Sequence, residues 1–413
     1  MAQEITVLGA GMVGVSVAWH LQQRGYAVRL VDRRAPGEET SYGNAGIIQR
    51  EAVRPYAFPR DLSTLLRVAP NRAVDIRYRP LDVLKSARPL FGYWQSSAAG
   101  RYAKIQPQYA ALIQQALETH EKMIQAADAE HLIRREGYLE VFRTTAALEA
   151  EAGLAEQDQQ YGVEYQLLDQ AALAQREPHL STELKGAIHW TQPWTARDPG
   201  ALVKAYAADF VRAGGELVTA DIQSIRRQGQ QWEVSTGQQK VTSEQLVIAL
   251  GPWSAHWLAR LGLRVPLFSK RGYHMHYASE HPLHHWVMDA EVGYLLAPMQ
   301  AGIRLTSGAE LSGLETAPNF AQLAAAEQVA RGLFPLGERL EATPWFGSRP
   351  CLPDMKPVIG PVASQTGLWT AFGHGHQGFT LGPLTGQLIG QMMEKEPTAM
   401  PMTPYALERF FTE

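Results

Sequence analysis

The chain has 413 residues, 45% of them hydrophobic and 19% charged, and a formal net charge of −3. That length suits two domains with sizeable cores, and so weak a net charge excludes a nucleic-acid partner held by a strong basic field. The single cysteine, Cys351, excludes an internal disulfide and a thiolate-rich metal or iron–sulfur centre.

Glu4–Leu8 reads as a buried strand ended by Gly9. No basic flank or long apolar stretch precedes it, and no window approaches the ~18 apolar residues of a membrane span. The expectation is a cytosolic protein; loose attachment to a membrane surface is compatible with the same composition. Val13–Arg24 carries apolar residues at helical spacing (Val13, Val17, Leu21) and stops at Gly25, and Ala27–Val31 is a second apolar strand. Strand, glycine turn, helix, strand is the βαβ unit of a parallel sheet.

From about residue 60 to 160 the pattern turns helical, as in Ala110–Ala129, where Leu112, Ala116, Leu117, His120, Met123 and Ile124 share a face. Tyr138–Arg143 alternates like a strand. Leu202–Ala213 is an amphipathic helix, followed by a meander over Glu216–Thr219, Ile222–Arg226 and Trp232–Ser235. Leu246–Leu250, all apolar and closed by Gly251-Pro252, returns to a sheet buried on both faces. Lys270–Tyr277 and Tyr294–Thr306 read as strands of a second, antiparallel sheet, and Ala321–Phe334 as a helix. Leu368–Met393 is strand, glycine-rich loop and helix, the helix covering Leu384–Met393. Segments 1–60, 195–262 and 340–413 therefore form a nucleotide-binding domain, and 61–194 with 263–339 a domain inserted into it.

Gly9-Ala10-Gly11-Met12-Val13-Gly14 follows a strand and opens a helix. Gly9 permits the turn, Gly11 lets a pyrophosphate reach the backbone, and Gly14 lets helix and strand pack closely. The N–H groups around Met12 and Val13 then face the phosphates. Asp32 ends the second strand, where its carboxylate can accept from a ribose hydroxyl. The motif serves NAD and FAD equally, and Asp32 would repel a 2′-phosphate. Arg33 and Arg34 fit either a cover for the adenine or solvated surface charge.

Farther on, several stretches together resemble one family. They are Thr40-Ser41-Tyr42-Gly43-Asn44-Ala45-Gly46, Glu136–Thr144, Val247–Ser254, Pro266–Tyr273, Arg349–Asp354 and Gly373-His374-Gly375-His376-Gln377-Gly378-Phe379-Thr380. The resemblance is to the FAD-dependent amine and D-amino acid oxidoreductases, and within them to the bacterial D-amino acid dehydrogenases. It implies an α/β fold, a Rossmann-like FAD-binding domain with an inserted α+β substrate-binding domain containing an antiparallel sheet. It also implies that Ser41, Asn44, Ala45 and Gly46 wrap the flavin's phosphate and ribityl chain. Gly251, with Gly373, His374, Gly375, Gly378, Phe379 and Thr380, would then border the flavin. A simple polar turn fits the first of these loops as well.

Arg349, in Gly347-Ser348-Arg349-Pro350, is implied by the resemblance as the clamp on a substrate carboxylate; a guanidinium fork suits that group. A structural ion pair with Asp354 competes with that role. Along Lys270–Tyr277, Tyr273 and Met275 share one face, His274 and His276 the other, and the resemblance selects Tyr273 for the pocket. Tyr294 fits pocket or core. His374 and His376 are candidate proton acceptors or structural histidines. Tyr56, Tyr93, Trp94 and Trp286 are candidate pocket lining, and Arg50 and Arg54 fit either recognition of an acidic side chain or plain surface charge. His281, His284 and His285 lack metal-ligand spacing, so no metal is expected. Ile47 and Ile48 follow the flavin loop and cannot bond a flavin, so FAD is expected to be noncovalent.

The implied activity is hydride removal from Cα of a D-amino acid, or of a D-imino acid such as a proline derivative. The imine formed would hydrolyse to a 2-oxo acid and ammonia, or remain a cyclic imine where the nitrogen is in a ring, with electrons passed to a quinone, a dye or oxygen. The alternatives are oxidation of a secondary amine (sarcosine, glycine or a glutamylated polyamine), an NAD-dependent dehydrogenase, and a non-catalytic flavin-binding subunit of an amine-oxidising complex. Oligomeric state is left open by the sequence.

Overall fold

In the computed structural model, which describes residues 2–411 apart from Gln238, the chain builds two large sheets with the functional cavity between them. The first has six strands in the order Glu216–Thr219, Ala27–Asp32, Glu4–Leu8, Gln245–Ile248, Leu368–Phe372, Val358–Pro361. All neighbours are parallel except the last pair. Its strands come from the start, middle and end of the chain. Alternation decides its two faces: Ile5, Val7, Val28, Leu30 and Val247 join the core shared with the helices Met12–Gln23, Pro199–Arg212 and Gly378–Met393. Leu8, Val31, Leu246 and Ile248 face the other way, against the antiparallel meander Ser224–Gln228, Gln231–Ser235, Lys240–Ser243.

The second sheet has ten strands and is largely antiparallel. At its middle Phe268–Tyr277 pairs with Gly302–Thr306 and Ala309–Leu311 along one edge and with Trp345–Cys351 along the other. One face is covered by the helix Ala321–Leu333, through Leu323, Ala326, Ala330 and Leu333. Trp345–Cys351 falls in the last segment expected for the nucleotide domain, yet it is paired into this second sheet. The α/β class and the inserted antiparallel sheet stand.

Local readings differ at three places. The helix expected over Ala110–Ala129 is two helices, Ala99–Ile113 and Ala116–Ala126. Tyr294–Thr306 is a hairpin, Tyr294–Met299 and Gly302–Thr306. The last helix starts at Gly378, six residues before Leu384, and runs through Pro383. A proline there cannot donate to the Phe379 carbonyl four residues back. That carbonyl instead accepts from buried His120 Nε2 at 2.9 Å, from Ala116–Ala126, so a neighbouring helix repairs the break.

Candidate functional site

A cavity of about 1530 Å³ runs between the sheets from Gly9, Asp32 and Arg33 at one end to Arg349, Lys270 and His376 at the other. That exceeds the ~300–1,000 Å³ of an ordinary small-ligand pocket, as an extended dinucleotide plus a substrate requires.

At the nucleotide end the backbone leaves little choice. Gly9 sits at φ +106° with the Ala249 carbonyl 2.4 Å from where a Cβ would be. A Cβ on Gly14 would lie 1.8 Å from the Gly9 carbonyl oxygen. Asp32 accepts from the Ala10 N–H at 2.5 Å and the Arg34 N–H at 3.2 Å, so its carboxylate holds the glycine turn in shape. Burial pushes the Asp32 carboxyl up from its ordinary pKa. Gly11, Met12 and Val13 line the cavity where the helix begins, with the Met12 N–H donating to Ser41 Oγ at 3.0 Å. Gly251 borders the same end, beside Trp253. Arg33 lies 4.3 Å over the Trp253 ring and pairs with Glu39 at 2.7 Å; Arg34 pairs with Glu39 too but is largely exposed.

The Ser41–Gly46 loop is more than a polar turn. The carbonyls of Tyr42 and Asn44 accept from Arg304 Nη1, that of Ala45 from Trp286 Nε1 at 2.7 Å, and that of Gly46 from the Ala196 N–H. Trp286, a candidate for pocket lining, is thus a buried brace for this loop. Asn44 Oδ1 accepts from the Gly46 N–H at 2.8 Å. Arg304 is itself braced by His276 Nε2 at 3.0 Å, and His276 Nδ1 by Glu341. Burial and the Arg304 charge lower the His276 pKa, which keeps Nε2 an acceptor. Opposite, Gly378 and Phe379 bring a second helix N-terminus to the cavity. Thr380 Oγ1 accepts from the Gln49 N–H, and Gln377 Nε2 donates to Gln49 Oε1, tying that helix to the loop. Gly373 packs against Leu352, and the Gly375 N–H donates to the Pro350 carbonyl. Two N-termini, small residues and backbone donors along one trough fit a dinucleotide with an attached ring system.

At the substrate end Arg349 stands opposite Lys270 in the strand pair. Its Nη1 donates to the Gly308 carbonyl at 3.2 Å, and its guanidinium lies over Gly272, where a Cβ would come within 2.6 Å of Nη2. The competing partner is taken: Asp354 holds Arg409 at 2.8 Å and Lys356 at 3.7 Å. Among the described residues no carboxylate pairs with Arg349 or Lys270. Lys270 Nζ instead donates to Tyr93 Oη at 2.8 Å. Tyr273 borders the cavity, but its hydroxyl is committed elsewhere. Its hydroxyl donates to Glu310 at 2.5 Å and accepts from the Asn319 N–H, within the helix-covered core. Tyr294 joins that core and also borders the cavity. The other face, Lys270, Gly272, His274 and His276, looks toward the flavin loop, with His274 stacked on Trp345 at 4.9 Å and 15°.

His374 borders the cavity but spends Nε2 on Thr385 Oγ1 at 2.9 Å, and burial lowers its pKa to about 3. Thr385 Oγ1 donates to the Leu381 carbonyl, so His374 Nε2 carries the proton and Nδ1 is its acceptor nitrogen. His376 also borders the cavity, 4.8 Å from the Tyr56 ring, and burial beside Arg349 and Lys270 keeps it neutral. Arg54 pairs with Asp158 and Glu151, so it offers no free charge to an acidic side chain; Arg50 donates to the Tyr161 carbonyl. His284 and His285 anchor Glu177 through their N–H groups.

Sequence reasoning missed Lys270, Gly272 and Glu140. Glu140 lies on the strand Tyr138–Phe142 with Tyr138 on the cavity side; Oε2 accepts from Trp190 Nε1 at 2.9 Å, and no cation pairs with it among the described residues. Burial, then the Glu151 charge, raise its pKa to about 7. The register Lys270↔Arg349 was the missing signal, because it spans 79 positions of sequence.

Residues 4–392 match the model of a family described as FAD dependent oxidoreductase. The chain is 31% identical to a D-amino acid dehydrogenase of Vibrio vulnificus, over 96% of this chain and 97% of that protein. It is 28% identical to a D-amino-acid oxidase of Bradyrhizobium diazoefficiens, over 99% of each. Among solved structures, glycine oxidase from Geobacillus kaustophilus superposes with TM-score 0.73 at 21% identity, covering 99% of both chains. L-proline dehydrogenase from P. horikoshii gives TM-score 0.73 at 17% identity, covering 99% of this chain and 98% of that one.

Proposed function

The chain belongs to the family of FAD-dependent oxidoreductases, and we propose that it dehydrogenates a D-amino acid, or a D-imino acid such as a proline derivative. The observation that carries this reading is Arg349, a guanidinium facing the cavity with no acidic partner among the described residues. Leaving such a charge without a counter-ion is costly, and a substrate carboxylate would supply two charge-assisted bonds. Gly272 makes room for the fork and the Gly308 carbonyl fixes its tilt.

FAD, when bound, supplies the acceptor for the hydride leaving Cα. The chain's residues set the protonation of the amine. Arg349 and the Lys270 ammonium stand on one face, with neutral His376 beside them, and this positive field disfavours a substrate ammonium. The neutral amine is the form whose lone pair assists loss of the α-hydrogen. From an amino acid the resulting imine is hydrolysed by water to a 2-oxo acid and ammonia; from a proline derivative the product is the cyclic imine. Tyr56 and Tyr93 give the pocket aromatic walls. FAD would be held noncovalently by the trough from Gly9 to Thr380, since Cys351 is buried under Leu90, Tyr93 and Phe268.

The test is the anaerobic visible spectrum of the purified protein with D- and L-amino acids, prolines and sarcosine. Bleaching by D-amino or D-imino acids alone is the expected result. Bleaching by sarcosine or by L-amino acids in their place would overturn it. Reoxidation by oxygen, quinone or dye then names the acceptor.

A further inference from the structure

Three short helices, Leu62–Val68, Pro80–Lys85 and Ala87–Ser96, turn apolar side chains outward at helical spacing. Leu62 is 70% exposed and Leu66 64%; Leu81 and Leu84 are 74% and 72%, Phe91 58% and Trp94 38%. A helix that serves only a core shows the reverse. Phe91 and Trp94 stack at 5.8 Å, and the Arg60 guanidinium lies 3.8 Å over the Trp94 ring. Leu65, Leu84, Phe91 and Trp94 also border the cavity, so the three helices form one continuous rim at its mouth.

Charge is segregated here as well. Residues 60–104 contain nine Lys and Arg against three Asp, a net of +6, which leaves −9 for the rest of the −3 chain. Asp82 is buried on the Gly313 N–H and Thr316, and Asp75 is paired with Arg67. Arg72, Arg88, Arg101 and Lys104 are exposed without that neutralisation, and exposed Lys85 reaches Asp82 only at 4.0 Å.

We propose that this rim docks in the plane of an anionic lipid surface, with the mouth of the cavity turned toward it. Exposed Leu, Phe and Trp flanked by Lys and Arg is the composition that seats a helix at the headgroup boundary, where the basic stems reach lipid phosphates. No helix of the described residues is long and apolar enough to cross a membrane, so the contact is in-plane. A second copy of the chain fits worse, because a two-fold contact would set +6 against +6.

The test uses the FAD-loaded full chain and sedimentation with two kinds of vesicle, pure phosphatidylcholine and equimolar phosphatidylcholine–phosphatidylglycerol. The protein should pellet with the second and far less with the first, and added salt should release it. Leu62→Ser/Leu66→Ser/Leu81→Ser and, separately, Lys85→Glu/Arg88→Glu should each lower the bound fraction roughly tenfold or more, with dye-linked turnover in solution unchanged. Equal binding to both vesicles, or to neither, overturns the proposal. So does a self-association in solution that the triple leucine variant abolishes while vesicle binding persists. Flavin bleaching, measured in parallel, reports separately on the proposed reaction.

Discussion

The two ends of the cavity are built on opposite plans. The nucleotide end is local and fully committed: within residues 9–32 the turn, the helix start and Asp32 hold one another, and Arg33 has both Trp253 and Glu39. The substrate end is assembled from strands far apart in sequence, and its charges are left over. Arg349 and Glu140 have no ion partner among the described residues, although both line the same cavity. Committed groups cost little to keep and are hard to alter. Uncommitted ones destabilise the fold and await a ligand.

Gly14→Ala tests the first plan most severely. Its Cβ would sit 1.8 Å from a backbone carbonyl that the sheet holds fixed, so neither partner can yield. The expected outcome is loss of bound flavin, read as a colourless or insoluble protein. A yellow, active variant would break the idea that this end tolerates nothing.

Arg349→Ala should keep the flavin spectrum and lower kcat/KM by two decades or more, since removing one member of a desolvated charge pair costs about 3–5 kcal/mol. Full activity with bound flavin would remove the clamp and with it the proposed function.

The same contrast explains what was legible in the sequence. The glycine motif, Asp32 and the βαβ unit are decided by neighbours in the chain, so period and turn chemistry suffice to find them. The choice of face on Phe268–Tyr277 is decided by what covers the sheet. Tyr273, Met275 and Tyr277 point into the helix-covered core, whereas Gly272, His274 and His276 face the loop. Alternation showed two faces; that the Tyr273 hydroxyl is taken by Glu310, 37 positions on, is settled only by the sheet. The break between Ile113 and Ala116 carries no Gly or Pro, and the tolerance of Pro383 depends on His120, 263 positions earlier. Neither is visible in a local window.

Glu140→Gln asks whether the substrate end destabilises the fold. The folded pKa, about 7, lies above the ordinary 4.5, so between those values the native state binds more protons than the unfolded chain. Stability from this group is therefore complete below about pH 4.5 and is lost as pH rises through 7. The variant should match the parent at pH 5 and exceed it at pH 8 by about 1–3 kcal/mol in denaturant unfolding. Parallel curves at both pH values would mean that Glu140 is no burden.

Gly272→Ala is the mild counterpart of Gly14→Ala. The added Cβ meets the far end of a flexible side chain, the Arg349 guanidinium at 2.6 Å, which can move aside. Stability should change little while KM rises about tenfold, equivalent to ~1.4 kcal/mol of lost carboxylate binding. A collapse in stability would show the substrate end to be as rigid as the other.

The smallest expected effect is at Arg33, and it gains its meaning from Arg349. Both are arginines on the cavity wall. Arg33 is partly solvated, stacked on Trp253 and paired with Glu39, so its removal leaves no buried charge behind. A surface cation–π contact and an exposed ion pair are each worth about 0.5–1 kcal/mol. Arg33→Ala should therefore weaken FAD retention by no more than about fivefold in a titration of the apoprotein, with kcat unchanged. If it instead costs as much as Arg349→Ala, the guanidinium must bear directly on the cofactor. The division between a committed end and a waiting end would then fail at its most exposed point.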